Sequence, residues 1–424
     1  MKKYKRNKIN LFFENNGVKP SIKNREPFLN AIPSNLVPSV TIPVHEQHPA
    51  ESYFGVGPGE FFSRFNVITT ISTDDKFFYP IIYSLSRLVD YVDQISIPIS
   101  ILEAIDQGSC KILIVCAYEG WPWFMYDALV EPLAQKHNID LDKFVVMTGN
   151  VTKSPKYKNI VFNNWELLSR QRDTNTDYKL GKDAIFNRDS PREHKFICLN
   201  RRASMHRFGT VAKLYPYKDQ GLLSFCQVGQ DTHDTYPGMQ YYYNQLKLFK
   251  EKYPNIYKNN WLPQKLSEKI PLLLPEHIDP YNANLNSTNP TNDEYPNKFY
   301  NSYLMITTET TVEGTVFFSE KMFKSIIYFQ PFVLVGQYRA LEYFKSLGYK
   351  TFSNVIDESY DQEIDIEKRL EMSIQSAIEF MQRKDLEEVM KSQWPVFEHN
   401  YKLFIDRSKL LYNKLTQDLE RMLE

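Results

Sequence analysis

Two hydrophobic rhythms run through this chain and predict its elements. Apolar runs free of polar interruption read as strands buried on both faces, the habit of parallel sheets, while apolar residues recurring at three- and four-residue spacing read as helices. Lys111–Ala117 and Phe144–Met147 are strands by this rule, with an amphipathic helix over Met125–His137 between them. That βαβ order predicts a Rossmann-like half. Residues 77–108, where Ile82, Leu85, Leu88, Val89 and Val92 share a face, predict one or two helices.

A second α/β half begins at the strand Lys195–Asn200 and continues through the helix Phe208–Leu214, a strand around Leu222–Phe225 and the strand Ser302–Thr310. The helix after it opens at Ser319, a residue suited to cap it, and carries Met322, Phe323, Ile326 and Ile327 on its inner face. It stops at Pro331, and Phe332–Val335 reads as a core strand. Beyond lie a helix (Tyr338–Leu347), a short strand (Tyr349–Phe352), a helix (Ile366–Arg383) and terminal helices broken near Pro395. Phe397, Tyr401, Phe404, Leu411 and Leu415 keep helical spacing and predict packing, back across the first domain. The expected fold is therefore α/β, with two Rossmann-like domains facing a cleft and C-terminal helices. The expected divisions are a basic N-terminal arm (1–50), an N-terminal Rossmann-like domain (51–190), a C-terminal Rossmann-like domain (191–385) and terminal helices (386–424). Polar residues 170–193 read as the interdomain linker, and 228–298 as a polar insertion whose Pro271–Pro275 is a short edge strand.

Composition narrows the picture. At 424 residues the chain has ample core for two or three domains. Its 51 basic and 51 acidic residues balance, so bulk charge predicts neither nucleic acid nor an anionic membrane as partner. No apolar run is long enough to span a membrane, and the basic start is not followed by an apolar signal core. Four scattered cysteines fit neither a disulfide scaffold nor a zinc site. A cytoplasmic protein without a bound metal is the expectation. The Gly55–Gly59 segment is a poor phosphate loop, because Pro58 removes a donor, and no Gly-x-x-x-x-Gly-Lys-Ser/Thr is present to support an ATPase.

Candidate chemistry sits where predicted strands end. The strand Lys195–Asn200 runs into Arg201, Arg202, His206 and Arg207, and guanidinium groups at a strand end suit phosphate. Glu309 closes the next strand, and Ser319, Glu320, Lys321 and Lys324 open the helix after it, whose free N–H groups favour an anion. The bland alternative is an i,i+4 pair between Glu320 and Lys324, worth about 0.3 kcal/mol. In the first half, Glu119 lies in the loop Tyr118–Trp123, either as a general base beside the stacking surfaces Trp121 and Trp123 or as a helix cap beside packed tryptophans.

These residues resemble a known family. Ser319-Glu320-Lys321 opening a helix that ends in Pro331–Gly336, with Glu309 closing the strand before it, is similar to the donor-binding motif of fucosyltransferase-like glycosyltransferases of the GT-B architecture. Leu199–Arg202, His206-Arg207 and Leu347–Phe352 are similar to uncharacterised, many of them viral, relatives of that group. The resemblance covers about residues 195–385. It implies a nucleotide-sugar donor, with Glu320 accepting from the ribose hydroxyls and Lys321 with Arg201 or Arg202 neutralising the diphosphate. Transfer to a glycan or other hydroxyl acceptor is expected to be metal-independent, with inversion. Thr310 stands where the family pattern carries Asn, so the sugar is not assigned. Two other readings stay open: transfer to a hydroxylated DNA base, with the basic Lys2–Lys8 tail as nucleic-acid contact, and a non-catalytic nucleotide-binding or assembly protein.

Overall fold

The computed structural model describes residues 9–12, 65–68, 76–82, 92–117, 120–163, 165–167, 169, 178–200, 204–225, 251, 254, 272 and 295–424. The chain divides into two units: Met1–Gln171 with Asp406–Glu424, and Arg172–Ile405.

The first unit carries β1 (Ile9–Phe12), β2 (Phe65–Ile68), β3 (Phe77–Ile82), helix α1 (Ile99–Asp106), β4 (Cys110–Cys116), α2 (Trp123–His137), β5 (Phe144–Thr148) and β6 (Lys158–Val161). All six strands are parallel, in the order β2-β1-β3-β4-β5-β6. Alternation along β4 explains its unbroken apolar run. Ile112, Ile114 and Cys116 share a core with Ile101 and Ile105 of α1 and with Tyr126, Leu129 and Leu133 of α2. Leu113 and Val115 share the other core with Tyr412, Leu415 and Leu419 of the last helix, which covers the opposite face.

Two segments differ from the sequence expectation. Phe77–Ile82, expected as helix, is the strand between β1 and β4, and Tyr79, Ile81 and Phe77 fill one face while Phe78 fills the other. Its Pro80 removes one ladder donor and disguises the strand. Ile9–Phe12, expected within a loosely held arm, pairs with both β2 and β3. The rest of residues 1–50, the Gly55–Gly59 segment and Leu85, Leu88 and Val89 lie outside the described residues.

The second unit carries α3 (Tyr178–Phe186), β7 (His194–Asn200), α4 (Met205–Leu214), β8 (Gly221–Phe225), α5 (Tyr295–Tyr300), β9 (Ser302–Thr308), α6 (Glu320–Ile327), β10 (Phe332–Val335), α7 (Ala340–Ser346), α8 (Ile366–Met381), α9 (Leu386–Ser392) and the start of α10 (Trp394–Leu423), whose residues from Asp406 onward belong to the first unit. Its parallel strands run β10-β9-β7-β8. The sheet is thus wound outward from β7 in both directions, and the strand order reverses between β7 and β9. At such a reversal the loops leaving neighbouring carboxyl ends diverge and leave room for a ligand.

Local chemistry accounts for the remaining differences. The stretch read as linker holds α3, whose ring at Tyr178 packs on Phe329, Trp394 and Tyr401. Tyr349–Phe352 is not a strand. The Asn400 amide stands in for a neighbouring strand there, donating to the Lys350 carbonyl and accepting from its N–H, both at 2.8 Å. Within the 228–298 insertion, Leu272 forms an antiparallel bridge to Phe225, and the other residues of the expected edge strand Pro271–Pro275 lie outside the described residues. Pro395 falls in the first turn of α10, where its missing N–H costs no helical bond. Among the described residues no helix is long and apolar enough to cross a membrane.

Candidate functional site

The carboxyl edge of the second sheet gathers the polar residues of its strands. Asn200, Ser224 and Thr308 terminate or nearly terminate apolar strands and are buried. Thr308 Oγ1 donates to Asn200 Oδ1 at 2.6 Å, and Asn200 Nδ2 donates to the Ser224 carbonyl at 3.3 Å. This bridge ties β9, β7 and β8 together at the point of reversal. Sequence reasoning passes over it, although a polar residue closing an apolar strand is a readable signal.

Glu309 follows directly and is fully buried. Its two carboxylate oxygens each accept from the Ser319 N–H at 3.1 Å, and one accepts from the Thr310 N–H at 3.2 Å. Its main-chain carbonyl accepts from His206 Nε2 at 2.7 Å and from the Arg207 guanidinium at 3.1 Å. Burial raises the Glu309 carboxyl above its usual range, against the pull of the Lys321 charge and the Ser319 hydrogen bonds.

His206 and Arg207, in the first turn of α4, are buried against β9. A carbonyl can only accept, so His206 carries its proton on Nε2, and Nδ1 is left to accept from Ser204 Oγ at 3.3 Å. Burial, with the Arg207 charge beside it, holds this imidazole down to about 3. As pH falls below about 6.5 the unfolded chain binds a proton at this ring and the fold does not, so stability is lost on acidification by at most about 1.4 kcal/mol per pH unit. Glu309, with its pKa raised, titrates in the opposite sense. Comparing urea midpoints of the wild type and His206→Asn at pH 7 and pH 5 isolates the histidine, and the wild type should lose about 2 kcal/mol more than the variant.

The helix α6 starts as its sequence predicts. Ser319 Oγ caps it, accepting from the Lys321 N–H at 3.4 Å. Lys321 Nζ lies 2.7 Å from Glu320 Oε1 and 3.3 Å from Ser319 Oγ, and both charged side chains are partly exposed. Burial pushes the Glu320 carboxyl up, but the Lys321 ammonium, its hydrogen bond and the Lys324 charge outweigh that and hold it down to about 2. Glu320 is thus a fixed anion at neutral pH, paired with the neighbouring lysine. Lys324, one turn further along α6, acts on Glu320 through its charge and has its Nζ 5.9 Å from the Phe299 ring centre.

A buried arginine secures the loop between β9 and α6. Arg369 of α8 donates to the carbonyls of Val312, Gly336, Glu363 and Ile364 at 2.7 to 3.2 Å. No signal in the helical pattern of α8 marks it out.

The structure therefore brings His206, Arg207, Glu309, Ser319, Glu320 and Lys321 together. Glu119, Arg201 and Arg202 lie outside the described residues. Trp123, one of the two expected stacking surfaces, donates to Thr152 Oγ1 at 2.9 Å and packs on Tyr126 and Tyr157, whereas Trp121 is 39 % exposed. Among the described residues no group of three or more His, Cys, Asp or Glu converges as metal ligands would. Comparison with models of known families, with curated proteins and with solved structures returns no match.

Proposed function

We propose that this chain is a glycosyltransferase of the fucosyltransferase-like GT-B kind, which moves a sugar from a nucleoside-diphosphate donor to an acceptor hydroxyl. The observation that carries this reading is the partly exposed Glu320–Lys321 pair on the capped start of α6, beside the reversal of strand order between β7 and β9. Glu320, held ionised, accepts from the ribose hydroxyls. Lys321 turns to the diphosphate, joined by Arg201 or Arg202 from the segment after β7 and by the helix N-terminus.

In the step itself the acceptor oxygen forms a bond to the anomeric carbon while the bond from that carbon to the diphosphate oxygen breaks. The nucleoside diphosphate leaves with the electron pair, and the acceptor proton passes to a base, for which the sequence offers Glu119. Inversion follows from a single displacement. Cationic groups aimed at the departing diphosphate stabilise charge as it develops, worth roughly 3 kcal/mol each, and this chemistry runs without a metal.

Calorimetry and thermal shift with uridine, guanosine and cytidine diphosphates and their sugars test the reading. One nucleotide at about 100-fold over its dissociation constant should add ~2.7 kcal/mol of stability, and Lys321→Ala or Arg202→Ala should abolish that gain. A folded wild type that binds none of them at millimolar concentration overturns the proposal. Binding without sugar transfer assigns the chain to the non-catalytic nucleotide binders.

A further inference from the structure

We infer that Glu309 is a positioning residue of the donor site, one that sets Glu320 and Lys321 in place without touching the ligand; this rests on the proposed function. The family motif groups Glu309 with the donor-binding residues, but its surroundings give it other work. It is fully buried, and its carboxylate is spent on main-chain N–H groups: Ser319, through both oxygens, and Thr310. Its own N–H donates to the Val335 carbonyl at 3.0 Å, which ties it to the end of β10. Its carbonyl is occupied by His206 and Arg207 of α4.

One residue thus joins β10, the start of α4 and the cap of α6. The connection from β9 to α6 runs from Glu309 to Ser319, and the Glu309 carboxylate closes it on itself by holding the N–H of its last residue. Ser319 in turn contacts Lys321 at both its N–H and its Nζ, so the placement of the lysine descends from the Glu309 carboxylate through a single residue. A ligand at Glu320 and Lys321 meets side chains that are already oriented, and the cost of ordering them is not charged against binding. The buried carboxyl, raised by its burial, also faces the Lys321 charge, which opposes that rise.

The test uses the full chain as wild type, Glu309→Ala, Glu309→Gln and Lys321→Ala. Each is titrated calorimetrically with guanosine, uridine and cytidine diphosphate, and amide exchange is followed by mass spectrometry over the peptide containing residues 317–321. Glu309→Ala should speed exchange at that peptide and weaken the nucleotide by about tenfold or more, because a buried N–H loses its acceptor. Glu309→Gln keeps an oxygen that accepts from Ser319, so it should restore both exchange protection and affinity to within about threefold of wild type. A purely structural role, which would lower the melting temperature of Glu309→Ala without this rescue pattern in affinity, overturns the inference. If affinity falls in Glu309→Ala while exchange at 317–321 stays as in wild type, Glu309 touches the ligand and the inference is again overturned. It fails equally if Glu309→Ala, or Glu309→Gln should the alanine variant not fold, exchanges faster yet binds as tightly as wild type. A wild type that binds no nucleotide removes the donor site itself and this inference with it, an outcome distinct from a binding wild type that Glu309→Ala leaves unaffected.

Discussion

Replacing Arg369 by leucine should cost the second unit about 4 kcal/mol, seen as a lower urea midpoint at an unchanged slope. The side chain is 4 % exposed and its donors are shared among the carbonyls of Val312, Gly336, Glu363 and Ile364. These carbonyls belong to the β9–α6 loop, the end of β10 and the approach to α8, segments without a ladder of their own at those points. Leucine fills the aliphatic volume but leaves the acceptors behind, and each buried acceptor without a donor costs about 1–3 kcal/mol, less where water reaches it. Lysine should recover little, since one ammonium cannot span the same fork of carbonyls. The effect should reach the proposed donor site as well: Val312 lies in the connection that ends at Ser319, so on the proposed function a loosened loop should weaken nucleotide binding in Arg369→Leu even at temperatures where the variant is folded. A stable variant with wild-type midpoint would show that these carbonyls find water at no cost.

The sequence reads well where burial is two-sided and poorly where partners are distant. β4, β5, β7, β9 and β10 announce themselves because a strand covered on both faces needs apolar residues at every position, and such runs have no helical reading of comparable length. β3 hides because Pro80 interrupts it and because Ile82 happens to fall in helical register with Leu85 and Val89. Helix α3 hides for another reason. Tyr178 and Phe186 pack on Trp394, some two hundred residues on, so nothing local shows which side of this polar helix is covered.

The candidate site divides the same way. Ser319, Glu320 and Lys321 follow from cap logic and the strand–helix alternation, both local rules. The partner of Glu309 does not, because a main-chain N–H is present at nearly every residue and leaves no trace in sequence. The same holds for the carbonyls that meet His206, Arg207 and Arg369. Side chains that grip backbone are the part of a site that only coordinates reveal.

Glu387→Ala is the second substitution expected to be severe, at about 3–5 kcal/mol, and its cause is a stranded charge. The Arg192 side chain is 2 % exposed and pairs with Glu387 at 3.0 Å, while Glu387 keeps about a quarter of its surface. The carboxylate also accepts from the Arg192 N–H at 3.0 Å and from the Tyr303 hydroxyl at 2.6 Å. Burial holds the Arg192 guanidinium down to about 10, with the Glu387 charge as the main influence opposing it. Remove that charge and Arg192 retains the Ala184 carbonyl at 3.0 Å and the face of Tyr303 at 5.3 Å, too little to replace its lost hydration. The cost in Glu387→Ala is therefore mostly the penalty of the arginine, and it should shrink when the arginine is removed as well. Arg192→Met in the Glu387→Ala background should be more stable than Glu387→Ala alone, by about 1–3 kcal/mol, because two apolar side chains leave no charge behind. Urea unfolding of the four proteins in the cycle measures this directly. A double variant less stable than Glu387→Ala would mean that the guanidinium of Arg192, held over the Tyr303 ring and on the Ala184 carbonyl, contributes more than its stranded charge costs.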